Sequence, residues 1–358
     1  MKVTLATLKA HAVASSLFQP ATLRRAIERL GFVQADPIRS PARAQDLILR
    51  HRVKDYRAGD LEQQYPKLDL EEDLLYAYGF MPGSTWRLLH PRLDAKLTSS
   101  EKRVLEIVSA GKRLHPRDLE KHLGSSRELN AWGSYSKSTT RTLQALHYRG
   151  LLRVAARENG IRLYAATTRE HEPIEPKERL CQLILLIAKI LAPVPEPSLR
   201  ATLQHLAHAA PALAGRHSAL TALIESGELG SAQVDGLRYL WPAGKLIRNQ
   251  PEAAVRFLAP FDPIVWDRRR FEHFWGWAYR FEAYTPLAKR KLGYYAMPLL
   301  WKHEVIGWAN ISNRRDHLSV EPGFIAAEPK DPAFRRAFDD EVDRFQTFLN
   351  KRKTIVQR

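Results

Sequence analysis

Ser138-Thr-Thr-Arg-Thr-Leu-Gln-Ala-Leu-His-Tyr-Arg-Gly-Leu-Leu-Arg-Val-Ala-Ala-Arg-Glu-Asn-Gly-Ile-Arg-Leu-Tyr164 changes period part-way along. Up to Gly150, Leu143 and Leu146 recur at helical spacing; Ser138 is placed to cap the start and Gly150 to close the end. Beyond it, Leu151 to Arg157 and Ile161 to Tyr164 alternate. Asn159-Gly160 between them is a strong hairpin signal. Upstream, Thr98 and Glu101 form a capping box ahead of a helix carrying Val104, Leu105 and Val108. Pro116 opens a shorter helix with Leu119 and Leu123, which Gly124 stops. Helix, helix, helix, hairpin is the order of a winged helix, with the third helix as groove reader. Lys137, Thr139, Arg141 and Arg149 decorate that helix, and Arg153, Arg157 and Arg162 lie on the hairpin. A basic face on this topology predicts DNA contact. The plainer alternative is a small α+β domain with solvated charges.

The order recurs downstream. Glu175 to Leu191, Pro197 to Ala209 and Ser218 to Glu225 read as helices. A hairpin follows, turning at Asp235-Gly236 and carrying few basic residues. Upstream, residues 5 to 30 read as helical and Asp60 to Tyr65 and Leu74 to Tyr78 as short helical pieces. Tyr76, Tyr78 and Phe80 read as core, since base stacking needs exposed rings. From Phe257 the pattern becomes strand-like: Tyr279 to Tyr284, Gly293 to Leu300, Val305 to Ile311 and Leu318 to Val320. A last helix from Asp331-Pro332 puts Phe334, Phe338, Val342, Phe345 and Leu349 on one side, a stripe suited to docking on a sheet. Arg268 to Arg270 and Lys289 to Lys291 are basic clusters that suit solvated turns or phosphate. The expected fold is therefore α+β, mostly α: tandem winged helices followed by an antiparallel, barrel-like β element and a terminal helix. The expected units are residues 1–95, 96–170, 171–250 and 251–358.

The 358 residues carry 56 Lys and Arg against 39 Asp and Glu, a formal charge of +17 that points to a polyanionic partner. No apolar run reaches the roughly 20 residues of a membrane span. The N-terminus lacks the apolar core of a secretion signal. One cysteine, Cys181, excludes an intrachain disulfide and fits a reducing, cytoplasmic setting. There is no glycine-rich phosphate loop, no His-Glu-x-x-His and no Gly-x-Ser-x-Gly. His205 and His208 share a helix face without the further ligands of a zinc set. No lysine stands out as a nucleophile. No metal or cofactor is expected.

Gly31-Phe-Val-Gln-Ala-Asp-Pro-Ile-Arg-Ser-Pro-Ala-Arg-Ala44 is the candidate for chemistry. Phe32 to Ile38 has strand character, so Gln34 and Asp36 face one side, roughly 7 Å apart. Ser40 and Pro41 resemble an N-cap and a first helical residue. The helix beyond carries Leu47 and Ile48 inward and Arg43, Arg50 and Arg52 outward. An amide beside a carboxylate positions water and stabilises positive charge, while Arg39 and Arg43 suit phosphate. The competing reading is ordinary turn and cap chemistry.

Two stretches carry a family resemblance. One is Leu30-Gly-Phe-Val-Gln-Ala-Asp-Pro-Ile38 followed by Ala42-Arg-Ala44. The other is Leu258-Ala-Pro-Phe-Asp-Pro-Ile-Val-Trp-Asp-Arg268, then Tyr279-Arg-Phe-Glu-Ala-Tyr284, then Lys289-Arg-Lys-Leu-Gly-Tyr-Tyr-Ala-Met-Pro298. Together they resemble the YcaQ/AlkZ-like family of bacterial DNA glycosylases over most of the chain. The resemblance implies three tandem winged helices around a channel and hydrolysis of the N-glycosidic bond of alkylated bases, including interstrand crosslinks in some members. It implies Gln34 and Asp36 as the catalytic pair, with damaged double-stranded DNA as substrate. The charge and wing pattern, independently of the resemblance, place Arg39, Arg43, Lys137, Thr139, Arg141, Arg153, Arg157, Arg162, Arg268, Arg269, Lys289 and Arg290 along the DNA, and the expected protein is a nucleoid-associated monomer. Gln45 and Asp46 stand where members often have paired histidines, and Leu74 to Pro82 replaces an aromatic-Trp-x-His segment. The alternative function is a non-catalytic winged-helix DNA-binding protein or transcription regulator.

Overall fold

The computed structural model describes residues 2–92, 96–111, 113–123, 127–129, 135–158, 160–168, 173–247, 252–314 and 317–350. Along them the order helix, short strand, two helices, hairpin comes twice, and a third time with a single bridge in place of the short strand. The first unit is preceded by α1 (Leu5–Ser16), capped by Thr4. It holds α2 (Leu23–Leu30), β1 (Val33–Gln34), α3 (Ala44–Leu49), α4 (Asp60–Gln64), β2 (Leu70–Leu74) and β3 (Tyr78–Pro82), and α5 (Gly83–Leu89) leads out of it. Gly31 closes α2 in the left-handed region, as the sequence predicts.

The second unit has α6 (Ser99–Ser109) with both halves of the Thr98/Glu101 capping box, then α7 (Pro116–Leu123). A two-stranded insert, β4 (Arg127–Leu129) and β5 (Tyr135–Lys137), runs into α8 (Ser138–Tyr148) and the hairpin β6 (Leu152–Glu158) and β7 (Ile161–Ala166). The Gly124 stop and Asn159 lie outside the described residues. The third unit has α9 (Pro176–Ile190), β8 (Val194–Pro195), α10 (Glu196–Ala209), α11 (Arg216–Glu225), β9 (Leu229–Val234) and β10 (Leu237–Pro242). Asp235 and Gly236 both take positive φ, the backbone of a two-residue hairpin turn. In the first and third units the short strand pairs with the second hairpin strand, giving the orders β1-β3-β2 and β8-β10-β9. In the second unit a single bridge, Leu114 to Tyr164, takes the place of the short strand.

The C-terminal stretch holds β11 (Val255–Phe257), α12 (Pro263–Trp266), α13 (Arg268–Trp275), β12 (Met297–Trp301), β13 (Glu304–Arg314), β14 (His317–Phe324) and α14 (Pro332–Leu349). These strands form one antiparallel sheet in sequence order, and among the described residues no sheet closes into a barrel. The physical reason lies on the outer edge of β11. There Glu341 accepts the Phe257 N–H at 3.0 Å, Arg344 donates to the Val255 carbonyl at 3.2 Å, and His51 donates to the Phe257 carbonyl at 3.0 Å. Side chains hold the backbone groups that β14 would need for closure. The aromatic stripe of α14 docks as expected, with Phe334 and Phe345 buried against the sheet.

Four local expectations are corrected. Tyr279 to Tyr284 is not a strand, because the Glu282 carboxylate takes the backbone N–H groups of Lys291, Leu292 and Gly293 and folds the segment as a loop. Leu74 to Tyr78 is the turn of the β2–β3 hairpin rather than a helix. Ser40 and Pro41 precede the helix, which begins at Ala44. Arg50 and Arg52 point inward: Arg50 pairs with Glu341 at 2.8 Å, and Arg52 makes a fully buried two-point pair with Asp262.

Two large apolar cores meet on the first unit. One joins it to the second unit and the C-terminal sheet; the other joins its hairpin and α5 to the third unit. Three consecutive acids of β2 fix the arrangement. Glu71 pairs with Arg153 at 2.9 Å, Glu72 with Arg157 at 2.7 Å and Asp73 with Arg92 at 2.8 Å, all three carboxylates being buried. Among the described residues no helix is long and apolar enough to cross a membrane.

Candidate active site

The site grows from a short edge strand. Val33 and Gln34 pair with Phe80 and Gly79 of β3, and the Ala35 N–H continues to the Tyr78 carbonyl at 2.9 Å. Gly79 is required there: a Cβ would meet the Val33 carbonyl at 2.3 Å and the Phe32 ring at 2.5 Å. Val33 is buried, so alternation turns Gln34 to the other side, where it is half-buried. Its Oε1 accepts the indole N–H of Trp266 at 2.9 Å. Trp266 ends α12 and stands edge-on to Tyr76 at 4.8 Å. Asp262 caps α12 through the Ile264 N–H and at the same time binds Arg52, just beyond α3. The two motif stretches, more than 200 residues apart in sequence, are therefore one constellation in space.

Asp36 is half-buried. Its Oδ1 accepts the Ile38 N–H at 2.9 Å, and its own N–H reaches the Gln45 side-chain oxygen at 3.4 Å. Burial raises its carboxyl above the ordinary range, and the Ile38 bond partly offsets this. The side chain lines a cleft of about 260 Å³ with Gln45, Tyr78, Arg43, Arg157 and Arg162. The opposite wall is the tip of the β6–β7 hairpin: a Cβ at Gly160 would lie 3.3 Å from the Arg43 guanidinium. Gln34 does not wall this cleft.

Gln45 and Asp46 are both buried, and the structure gives each a use. Gln45 supports the Asp36 backbone. Asp46 accepts the Tyr56 hydroxyl at 2.7 Å and the Gly59 N–H at 3.1 Å. Tyr295, Trp266 and Gln45 escape a motif-level reading. The Tyr295 hydroxyl is buried without a hydrogen-bond partner among the described residues. Burial, and then the charge of Asp36, hold that phenol well above its usual value.

The predicted DNA contacts fall into different settings. Arg39, Arg269 and Lys289 are exposed. Arg43 pairs with Glu62. Arg153 and Arg157 bind Glu71 and Glu72, and Arg162 lies over the Tyr78 ring at 4.4 Å. These hairpin arginines thus bridge to the first unit, with part of each still open to solvent. Arg141 is exposed on α8, while Thr139 is buried at 6% exposure and faces inward rather than to a groove. Lys137 ends β5, its side chain lying outside the described residues. Arg268 is turned away from solvent, donating to the Pro260 and Val265 carbonyls over the Tyr279 ring. Arg290 binds the Thr285 carbonyl at 2.8 Å. It borders a groove of about 710 Å³ that also touches Ser40 and Tyr295. Among the described residues no cluster of His, Cys, Asp and Glu forms a metal site.

Residues 27–348 match the family described as DNA glycosylase AlkZ-like. The chain belongs to that family. This AlkZ-like chain also superposes on the Streptomyces sahachiroi DNA glycosylase AlkZ with a TM-score of 0.62, covering 98% of this chain and 100% of that one. The identity is 15%, so this second likeness speaks to the fold. Membership makes the AlkZ-like chain a DNA glycosylase of DNA repair, with DNA as its partner.

Proposed function

We propose that the chain is a monofunctional glycosylase that hydrolyses the N-glycosidic bond of alkylated purines in duplex DNA, with Asp36 and Gln34 as the catalytic pair. The observation that carries this reading is the placement of Asp36: a half-buried carboxylate opening onto an arginine-walled cleft, two residues beyond a glutamine pinned by Trp266. As the glycosidic bond breaks, its electron pair leaves with the base and positive charge develops on the sugar. A cationic alkylated purine needs little protonation to depart. The Asp36 carboxylate stabilises the oxocarbenium-like sugar and takes a proton from the attacking water. Gln34 orients that water through its side-chain amide, whose oxygen is held by Trp266. The product is an abasic site on an uncut strand; among the described residues the cleft walls include arginines but no lysine to form a Schiff base.

The three repeated units are read as tandem winged helices, since the strand order of the first and third sheets is that of the motif. Arg39, Arg43, Arg141, Arg157, Arg162, Arg269, Lys289 and Arg290 are read as the phosphate-contacting set. Crosslinked purines are a further substrate on this reading, and the protein acts as a monomer in the cytoplasm, on the nucleoid.

One observation favours the non-catalytic alternative: the Asp36 carboxylate already closes a turn on Ile38. A duplex carrying one N7-alkylguanine separates the two. Abasic-site formation by the wild type, lost in Asp36→Asn with duplex binding retained, supports catalysis. Equal, salt-sensitive binding by both without product, on alkylated and crosslinked duplexes alike, would support the binding-protein reading.

A further inference from the structure

A second cavity, of about 580 Å³, opens where α5, the α8–β6 turn and the start of α9 converge. It shares no wall residue with the Asp36 cleft. Its size lies within the range of small-molecule sites. Trp86, Leu151, Ile174 and three prolines make much of the lining apolar. Its polar groups are few. His90 donates from Nε2 to Asp73 at 2.8 Å and stacks on Trp86 at 4.2 Å. With Nε2 protonated, Nδ1 is an acceptor, and that atom is buried without a hydrogen-bond partner among the described residues. Gly150 keeps this side of the ring open, since a Cβ there would fall 2.4 Å from Nδ1. Thr167 Oγ1 is a second buried atom without such a partner.

The charges on the wall are cationic. Arg179 is 6% exposed and donates to the Leu88 and Pro91 carbonyls; among the described residues no carboxylate pairs with it. Arg87 and Arg149 border the same space, but both are already engaged, Arg149 with Glu101 at 3.6 Å, so the charge open to a ligand is that of Arg179. A buried guanidinium bonded only to neutral carbonyls favours an arriving anion. An unused imidazole nitrogen favours a ligand that also carries a donor.

We propose that this cavity is a second binding site, separate from the glycosylase centre, for a small aromatic molecule bearing an acidic group. The ring system lies on Trp86 and Ile174, the acid faces Arg179, and a hydroxyl or amide N–H on the ligand meets His90 Nδ1. Because the walls come from all three repeated units, occupancy ties the units together and raises thermal stability.

The test uses the full chain and two dyes. 8-Anilinonaphthalene-1-sulfonate carries an acid and an amine N–H; N-phenyl-1-naphthylamine is its neutral counterpart. Fluorescence titration is expected to give one saturable site that binds the sulfonate more tightly than the neutral dye. Ile174→Trp fills the cavity and is expected to weaken the sulfonate by about tenfold, equivalent to about 1.4 kcal/mol, with duplex binding unchanged. Arg179→Gln is the second variant, expected to weaken the sulfonate and leave the neutral dye unchanged. Non-saturating binding, equal affinity for the two dyes, insensitivity to both substitutions, or displacement of the dye by duplex DNA would each overturn the proposal. None of these outcomes depends on base release, so the cavity and the glycosylase reading fail separately.

Discussion

Replacing Asp262 with alanine removes one half of a fully buried ion pair. The Arg52 guanidinium keeps the Ser16 carbonyl, the Ser16 hydroxyl and the Ile48 carbonyl, but loses its carboxylate. Leaving a buried charge uncompensated costs about 3–5 kcal/mol. Asp262 also caps α12 through the Ile264 N–H, which adds about 1 kcal/mol. The combined loss of roughly 4–6 kcal/mol is comparable with the whole stability of a typical folded protein, about 5–15 kcal/mol. Urea unfolding followed by tryptophan fluorescence should therefore show a large fall in the midpoint. The double substitution Arg52→Met with Asp262→Leu should recover much of the loss, because it removes both charges. A single-variant cost below about 1 kcal/mol, the value typical of a surface pair, would refute the reasoning. So would a double variant no more stable than the single.

Trp266→Phe keeps a ring and deletes the indole N–H that holds Gln34. If that bond orients the water, base release should slow about fivefold, matching a neutral hydrogen bond of about 1 kcal/mol, with duplex affinity unchanged in a gel-shift titration. On the proposed mechanism Asp36 works ionised, and burial raises its carboxyl, so single-turnover base release should fall as the pH drops through an apparent value above 3.8. A raised folded-state value favours the protonated form, so ionisation of Asp36 opposes folding at neutral pH; Asp36→Asn should melt no lower than the wild type. Asp73 has the opposite sign. Burial would raise its carboxyl, but the His90 bond and the Arg92 charge outweigh burial and pull it down to about 2. Its contribution is present above the unfolded carboxylate value and is lost as the pH falls towards about 2; Asp73→Asn should cost about 2 kcal/mol at neutral pH, from the two values, and much less near pH 2.

Much of the architecture was legible because its signals are local. The Thr98/Glu101 box, the Gly31 stop, the Asp235-Gly236 turn and the α14 stripe each state an element within one or two turns of chain. The β2 strand was not legible, since Leu70-Glu-Glu-Asp-Leu74 carries three adjacent acids and matches no strand pattern. Its acids are neutralised by arginines from beyond the hairpin, including Arg153 and Arg157 more than 80 residues away. The same cause reversed Arg50 and Arg52, whose partners lie 291 and 210 residues on. At the candidate site, the strand was readable only at Val33 and Gln34; Asp36 lies beyond it, and the two side chains do not line one cleft. The Trp266 clasp and the support from Gln45 were not readable, because nothing in either local pattern encodes a contact across the fold.

Those long-range clasps also impose a timetable on synthesis. A nascent chain emerges at about 5–20 residues per second, and Gln34 leaves the ribosome 232 residues ahead of the indole that will hold it. The inward-facing Arg50 waits for an acid 291 residues away. On this order of events the first unit cannot reach its final form until Glu341 has been made. A product stopped before Glu341 would leave the Arg50 guanidinium and the Phe257 N–H without the carboxylate that binds both.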